Sequence, residues 1–330
     1  MSLSGKKVLV TGAGGFIGSH LAEGLVEEGA QVRAMVHYNA IGNWGWLEES
    51  PHREAMEIVA GDVTDAMSVR QAVEGCDTVF HLAALIAIPY SYVAPASYVR
   101  TNIEGTMNVL NAARDCGVRR ILHTSTSEVY GTAIEVPIKE THPLQGQSPY
   151  SASKIGADKI AESYFCSFET PVVTIRPFNT FGPRQSARAV IPTIASQCLA
   201  GFTEIKLGNL SPTRDLNYVA STVDGFIKAA DADADKVHGG TFNLGSGRET
   251  SIGDLARTII EVTGAQAEVL SDEQRIRPAG SEVERLVADA SLAREAFGWE
   301  AEVDLESGLL ETVEWLRKHQ EGYRPDRYTV

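Results

Sequence analysis

The chain is predicted to be an α/β protein: a doubly wound parallel sheet followed by a smaller, mostly helical C-terminal domain. Three observations carry this. Short β-rich runs alternate with helix-length amphipathic segments through the first half, the pattern of a parallel sheet covered by helices. A glycine-rich turn separates the first such run from the first helical segment. After Pro177 the alternation breaks, and Pro177, Pro183, Pro192 and Pro212 leave only short helices between them.

The predicted strands are Lys7–Val10, Gln31–Val36, Glu57–Ala60, Thr78–His81, Arg120–Thr124 and Val172–Arg176, with a late run, Gly240–Leu244, ending in Gly-Ser-Gly. Predicted helices include Gly15–Glu28, Ala66–Val73, Tyr98–Cys116 and Tyr150–Phe168. The late strand makes the division discontinuous. Residues 1–177 with roughly 215–250 form the sheet domain, and 178–214 with 251–330 form the second domain.

A chain of 330 residues buries a sizeable core without a disulfide or metal staple. Its formal charge of −14 argues against a general nucleic-acid or acidic-membrane binder, although a local basic pocket remains compatible with it. Cys76, Cys116, Cys166 and Cys198 form no C-x-x-C pair, which suits reduced thiols and no metal site. The N-terminus lacks the apolar core of a signal peptide, and no apolar run is long enough to span a membrane. The expected location is the cytoplasm.

Lys7–Val10 runs into Thr11-Gly12-Ala13-Gly14-Gly15-Phe16-Ile17-Gly18, and an amphipathic helix follows. Gly12 allows a tight turn, Gly15 a close approach of backbone to a pyrophosphate, and Gly18 close helix–strand packing. The helix N-terminus then offers unpaired N–H groups to the anion. This order of strand, turn and helix predicts a dinucleotide site, NAD or NADP. The acidic residue that selects a free ribose is missing at the end of the second strand, which reads Val36-His37-Tyr38-Asn39. Arg33, His37 or Asn39 are candidates for a 2′-phosphate, so the choice of cofactor stays open. Asp62, after the third strand, is a candidate for the adenine edge or a plain loop residue.

Tyr150 and Lys154 stand four apart, on one face of a helix. An ammonium beside a phenol lowers the phenol's pKa, so that Tyr150 accepts a hydroxyl proton while hydride leaves the same carbon. At the end of a predicted strand, Thr126 is placed to hydrogen-bond the reacting oxygen, with Ser127 beside it. Glu128 then supplies a carboxylate that can remove the acidic proton next to a newly formed ketone. Oxidation followed by elimination needs that group, whereas oxidation alone does not.

Taken together, these segments resemble the extended short-chain dehydrogenase/reductases with a Rossmann cofactor domain, in particular the nucleotide-sugar epimerases and dehydratases. Ser125-Thr126-Ser127-Glu128-Val129-Tyr130-Gly131 is similar to the dehydratases. Many members acting on TDP-glucose carry Asp-Glu where this chain has Ser127-Glu128, while GDP-mannose dehydratases share Ser-Glu. UDP-glucuronate decarboxylases share this run and Phe178-Asn179-Thr180-Phe181-Gly182-Pro183-Arg184. Several stretches are similar to the GDP- or UDP-N-acetylglucosamine 4,6-dehydratases of bacterial legionaminic-acid synthesis. They are Tyr38-Asn39 with Asn43–Leu47, His81–Tyr92, Pro143–Tyr150 and Arg184–Pro192.

The resemblance implies a 4,6-dehydration of such a nucleotide sugar with Thr126, Ser127, Glu128, Tyr150 and Lys154 at its centre and a tightly held, regenerated NAD(P). It implies cofactor contacts from Gly12, Gly15, Phe16, Ile17, Gly18, His37, Asp62, Val63, Leu82, Ala83, Ala84, Tyr150 and Lys154. Substrate contacts are implied for Ile86, Asn179, Arg184, Arg188, Arg214 and Arg277, with Glu282 and Arg285 near the nucleotide. Trp44 and Trp46 are either a lid over the adenosine or a packed loop, and Tyr90 and Tyr92 line the sugar site or the core. A homodimer through the helices at 98–116 and 150–168 follows by the same analogy. The alternatives are a UDP-glucuronate decarboxylase, a 4-epimerase, or an NAD(P)-sensing regulatory protein.

Overall fold

A computed structural model describes residues 2–276 and 278–326. Seven parallel strands form the central sheet: β1 (Lys7–Thr11), β2 (Gln31–His37), β3 (Glu57–Gly61), β4 (Thr78–His81), β5 (Arg120–Thr124), β6 (Val172–Pro177) and β7 (Thr241–Leu244). Their order is β7-β6-β5-β4-β1-β2-β3. All seven fall where the β-rich runs predict. β4 and β6 are buried along their whole length, as strands covered on both faces must be, and so read as continuous apolar runs.

The main helices are α1 (Phe16–Glu27), α2 (Ala66–Val73), α3 (Gly105–Asp115), α4 (Pro149–Phe168), α5 (Val190–Leu199), α6 (Val219–Asp231), α7 (Ile252–Thr263) and α8 (Leu305–Lys318), of which α5, α7 and α8 pack against one another. α1 and α6 cover one face, with Leu21, Leu25 and Phe226 in its core. α2, α3 and α4 cover the other around Val69, Val109, Leu110 and Ala161. α3 continues a helix that starts at Pro95, and the junction Val99–Glu104 is a π-helical turn rather than the uniform helix expected. Such a turn adds a residue to one helical loop and commonly marks a functional position.

Strand order reverses between β1 and β4, so the turns leaving these strands diverge and open a crevice at their C-terminal ends. The segment after β6 builds one wall of that crevice. Besides its helices it carries three small sheets: Asn179–Phe181 with Leu216–Tyr218, Thr213–Arg214 between Thr250–Ser251 and Arg285–Leu286, and Glu204–Leu207 with Glu268–Ser271. Asp215, fully buried, locks this wall to the main sheet. Its carboxylate accepts hydrogen bonds from the backbone N–H of Ser246 (2.7 Å), Gly247 (2.9 Å) and Ala288 (3.0 Å) and from the Ser246 hydroxyl (2.6 Å). The Gly-Ser-Gly after β7 is therefore a cradle for a protein carboxylate.

No helix among the described residues is long and apolar enough to cross a membrane. Among the same residues, no group of three His, Cys, Asp or Glu side chains could hold a metal ion.

Candidate active site

A cleft of about 860 Å³ opens at the reversal point. The glycine turn forms its floor. Gly12 has φ +71°, and a Cβ there would lie 2.9 Å from the Ala83 nitrogen. Gly15 caps α1, and its N–H donates to the Gly12 carbonyl at 3.0 Å. A Cβ on Gly18 would collide with that same carbonyl. The backbone therefore lies bare at the head of α1, with Gly15, Phe16, Ile17 and Gly18 in the cleft wall, which fits a dinucleotide's pyrophosphate. Gly18→Ala forces α1 away from β1, and an overpacking cost of this kind is expected to weaken dinucleotide binding about tenfold by calorimetric titration. Gly253→Ala, with only ordinary contacts near its Cβ, is expected to leave it unchanged.

Sequence spacing assigned no task to Gly14, yet the structure does. A Cβ there would stand 2.6 Å from the Trp44 carbonyl, and the Gly14 carbonyl accepts the Trp46 N–H at 3.0 Å. The Asn43–Trp46 loop is thus seated on the glycine turn. Trp46 packs edge-on against Trp315 of α8, while Trp44 lines the cleft with the Arg53 guanidinium 4.4 Å from its ring centre.

The candidates near the ends of β2 and β3 are placed differently. His37 and Asn39 line the cleft. Arg33 does not: its guanidinium is spent on the Ala72 and Glu74 carbonyls (2.7 and 2.9 Å) and on Glu57 (3.0 Å). The Asn39 side chain organises its own loop, accepting from Ile41 and Asn43 and donating to the Asn43 carbonyl. Asp62 and Val63 lie outside the cleft lining. The Asp62 carboxylate caps its turn through Thr64 N–H and hydroxyl, both at 2.8 Å, and Val63 is buried against Gly105. Leu82, Ala83 and Ala84 do line the cleft, because Thr11 Oγ1 receives the N–H groups of Leu82 and Ala83 at 3.1 Å.

On the opposite wall, α4 begins with a reciprocal Ser148–Ser151 cap and Pro149 in its first turn. This start places Tyr150 one turn before Lys154, and both reach the cleft. Lys154 Nζ donates to the Thr124 carbonyl at 2.6 Å. Thr126 caps the short turn Ser127–Tyr130, its oxygen accepting the Glu128 N–H at 3.2 Å, and its side chain neighbours the Tyr150 phenol. Ser127 and Glu128 are buried in the cleft wall, and the Glu128 carboxylate stands close enough to disfavour a tyrosinate. The protein alone does not lower the Tyr150 pKa as the Tyr–Lys spacing suggests. Burial, with Glu128 and Tyr98 adding to it, raises it, while burial pulls Lys154 down to about 8.

Several supporting residues are legible only in three dimensions. Asn102, in the π-helical turn, clasps both backbone groups of Leu85 at 2.9 Å and the Ser153 hydroxyl at 2.9 Å, joining the β4 exit to α4. The Thr106 hydroxyl donates to the Asn102 carbonyl at 2.6 Å, so it accepts from His81 Nε2, and Thr11 donates to His81 Nδ1. Burial holds His81 well below its usual pKa and keeps it neutral. Tyr130, within the Ser-Thr-Ser-Glu run, is structural. It donates to Asn243 (2.7 Å), accepts from Arg176 (2.9 Å), and burial pushes its phenol up to about 12.

Of the predicted substrate contacts, Ile86, Asn179, Arg188 and Arg214 line the cleft. Asn179 Oδ1 is buried with no hydrogen-bond partner among the described residues. Arg214 is buried and fixed by the Val283 carbonyl (2.7 Å) and Glu282 (3.4 Å). Arg184 grips Glu23 of α1 with two parallel bonds of 2.9 and 3.0 Å, tying the segment after β6 to that helix. Arg285 likewise pairs with Glu249 away from the cleft. Arg277 lies outside the described residues. Arg275 and Arg324 line the cleft and were not anticipated. Neither Tyr90 nor Tyr92 lines it, and the Tyr92 hydroxyl meets that of Ser281 at 2.6 Å.

A bare glycine cradle facing a Tyr–Lys pair and a Thr-Ser-Glu turn defines the class: a short-chain dehydrogenase/reductase of the extended, nucleotide-sugar type. More narrowly, the chain belongs to the family described as GDP-mannose 4,6 dehydratase, whose model matches residues 9–312. It is 33% identical over 317 residues to a UDP-glucose 4-epimerase of Mycolicibacterium smegmatis, covering 94% of this chain and 98% of that protein. It is 32% identical to a dTDP-glucose 4,6-dehydratase of Actinoplanes, covering 95% and 98%. A solved dTDP-glucose 4,6-dehydratase, DesIV from Streptomyces venezuelae with NAD bound, superposes with a TM-score of 0.86 at 27% identity, covering 97% of this chain and all of that one.

Proposed function

We propose that the protein is a cytoplasmic, homodimeric nucleotide-sugar 4,6-dehydratase that converts GDP- or UDP-N-acetylglucosamine to the 4-keto-6-deoxy sugar. The observation that carries this reading is Glu128, a carboxylate buried in the cleft wall beside the phenol of Tyr150. NAD(P), which Gly12, Gly15 and Gly18 would hold, would supply the hydride acceptor and the hydride that is returned. Tyr150 takes the C4 hydroxyl proton, and Thr126 orients that oxygen. The resulting ketone acidifies the C5 proton, which Glu128 removes. Ser127 stands where many dehydratases acting on TDP-glucose carry Asp, so the C5 proton reaches the departing C6 hydroxyl either from Glu128 itself or relayed through Ser127. The C6–O bond breaks, water leaves, C6 receives the hydride, C5 takes a proton from solvent, and Tyr150 releases to solvent the proton it took from the C4 hydroxyl. Arg214, Arg188 and Asn179 bind the substrate's diphosphate.

The test is incubation of the purified protein, without added cofactor, with each nucleotide sugar, followed by mass spectrometry. Loss of one water supports dehydration, and the faster substrate names the nucleotide. A product of unchanged mass supports an epimerase, the activity named for the Mycolicibacterium relative. Loss of carbon dioxide from a UDP-uronic acid supports a decarboxylase, as named for a Bacillus cytotoxicus relative at 31% identity. Arg214→Ala is expected to raise KM about tenfold or more, the worth of a charge-assisted hydrogen bond. Arg184→Ala is expected to leave KM unchanged in the same assay.

A further inference from the structure

Asp158 is a buried charge on α4 that this mechanism does not use. It falls one turn after Lys154, as Lys154 falls one turn after Tyr150, so the three share one face of α4. His123 donates from Nε2 to Oδ1 at 3.0 Å. Oδ2 accepts from the Ser125 hydroxyl at 2.8 Å and from Arg176 Nε and Nη2 at 3.2 and 3.0 Å. All four side chains are more than nine-tenths buried. Burial works against an ionised carboxylate here, but the His123 hydrogen bond and the charges of Arg176 and Lys154 win and hold Asp158 below its ordinary range.

A buried ion pair is poor value as a stabiliser, because desolvation of two charges offsets their attraction. Joining α4 to β6 therefore does not account for Asp158. Its position relative to Lys154 does. Lys154 makes one described hydrogen bond, to the Thr124 carbonyl, and Thr124 precedes the Ser125 that grips Asp158. The other groups around Lys154 do not supply a counter-charge from behind. His81 and His123 are held neutral by burial, Arg176 is positive, and Tyr150 and Glu128 lie on the cleft side.

We propose that Asp158 is a positioning residue for the Tyr150–Lys154 pair: locked by His123, Ser125 and Arg176, its carboxylate supplies the counter-charge that keeps the Lys154 ammonium charged in the cleft wall. The proposal rests on reading Tyr150 and Lys154 as the proton-handling pair. Without Asp158 the ammonium is desolvated and unsupported, and it loses its proton at lower pH.

The test is an NMR titration of the Lys154 side chain in the cofactor-loaded protein, labelled at lysine Cε, which needs no sugar substrate. Asp158→Asn is expected to lower the Lys154 midpoint by about one pH unit, while Asp158→Glu restores it. Turnover of the same proteins separates the two readings. An inactive wild type with a shifted midpoint in Asp158→Asn removes the proposed reaction and leaves the role of Asp158 standing. A midpoint common to wild type and Asp158→Asn overturns that role. Should Asp158→Asn fail to fold, Arg176→Gln removes the group that neutralises the carboxylate and must move the midpoint upward; an unmoved midpoint is equally fatal.

Discussion

Glu128→Gln is expected to lower the turnover of the proposed dehydratase about a thousandfold, the contribution of a placed general base. Its effect is confined to one half of the reaction. Glutamine keeps the shape of the side chain but cannot take the C5 proton, whereas Tyr150, Thr126 and Lys154 remain in place to support oxidation at C4. In a single turnover, nicotinamide absorbance should therefore rise and stay high, with no loss of water from the sugar. A 4-epimerase has no such step, so an unimpaired Glu128→Gln variant, with substrate and product of equal mass, would sink the dehydratase reading.

Tyr150→Phe removes the phenol and with it both the first proton transfer and the alignment of the reacting oxygen. A loss of about a thousandfold to ten-thousandfold in kcat is expected, with no absorbance change in a single turnover. The pH profile checks the role independently. Burial and the neighbouring Glu128 hold the phenol up, so a working tyrosinate requires positive charge from Lys154 and from the oxidised cofactor ring. Activity should rise with pH as the phenol ionises in the loaded protein. Lys154→Met should move that rise to higher pH, because it removes one of the two charges. A profile unchanged in Lys154→Met would remove lysine from the mechanism.

Much of this site is legible in the chain because its parts are local. A glycine turn between a strand and a helix, or Tyr and Lys one helical turn apart, obeys geometry set within a few residues. Gly12, Gly15, Gly18, Tyr150 and Lys154 all reach the cleft. Local spacing fails where a side chain has rivals. Arg33 and Arg184 look like free cations in the sequence, but Glu57 lies on the neighbouring strand and Glu23 on the cofactor helix, and each takes its arginine. Gly14 fails for the opposite reason, since the Trp44 carbonyl that demands a missing Cβ comes from a distant loop.

The sequence by itself determined the seven-stranded alternation, the glycine turn and the one-turn spacing of Tyr150 and Lys154. Each depends on periodicity or on spacing within one element. Tertiary structure decided which charges are available. Asp158 became a counter-charge, Arg214 a cleft residue and Asp215 a lock only when strands far apart in the chain converged. It also decided the acidity of Tyr150, because burial is a property of the surrounding fold and opposes what the nearby lysine alone suggests.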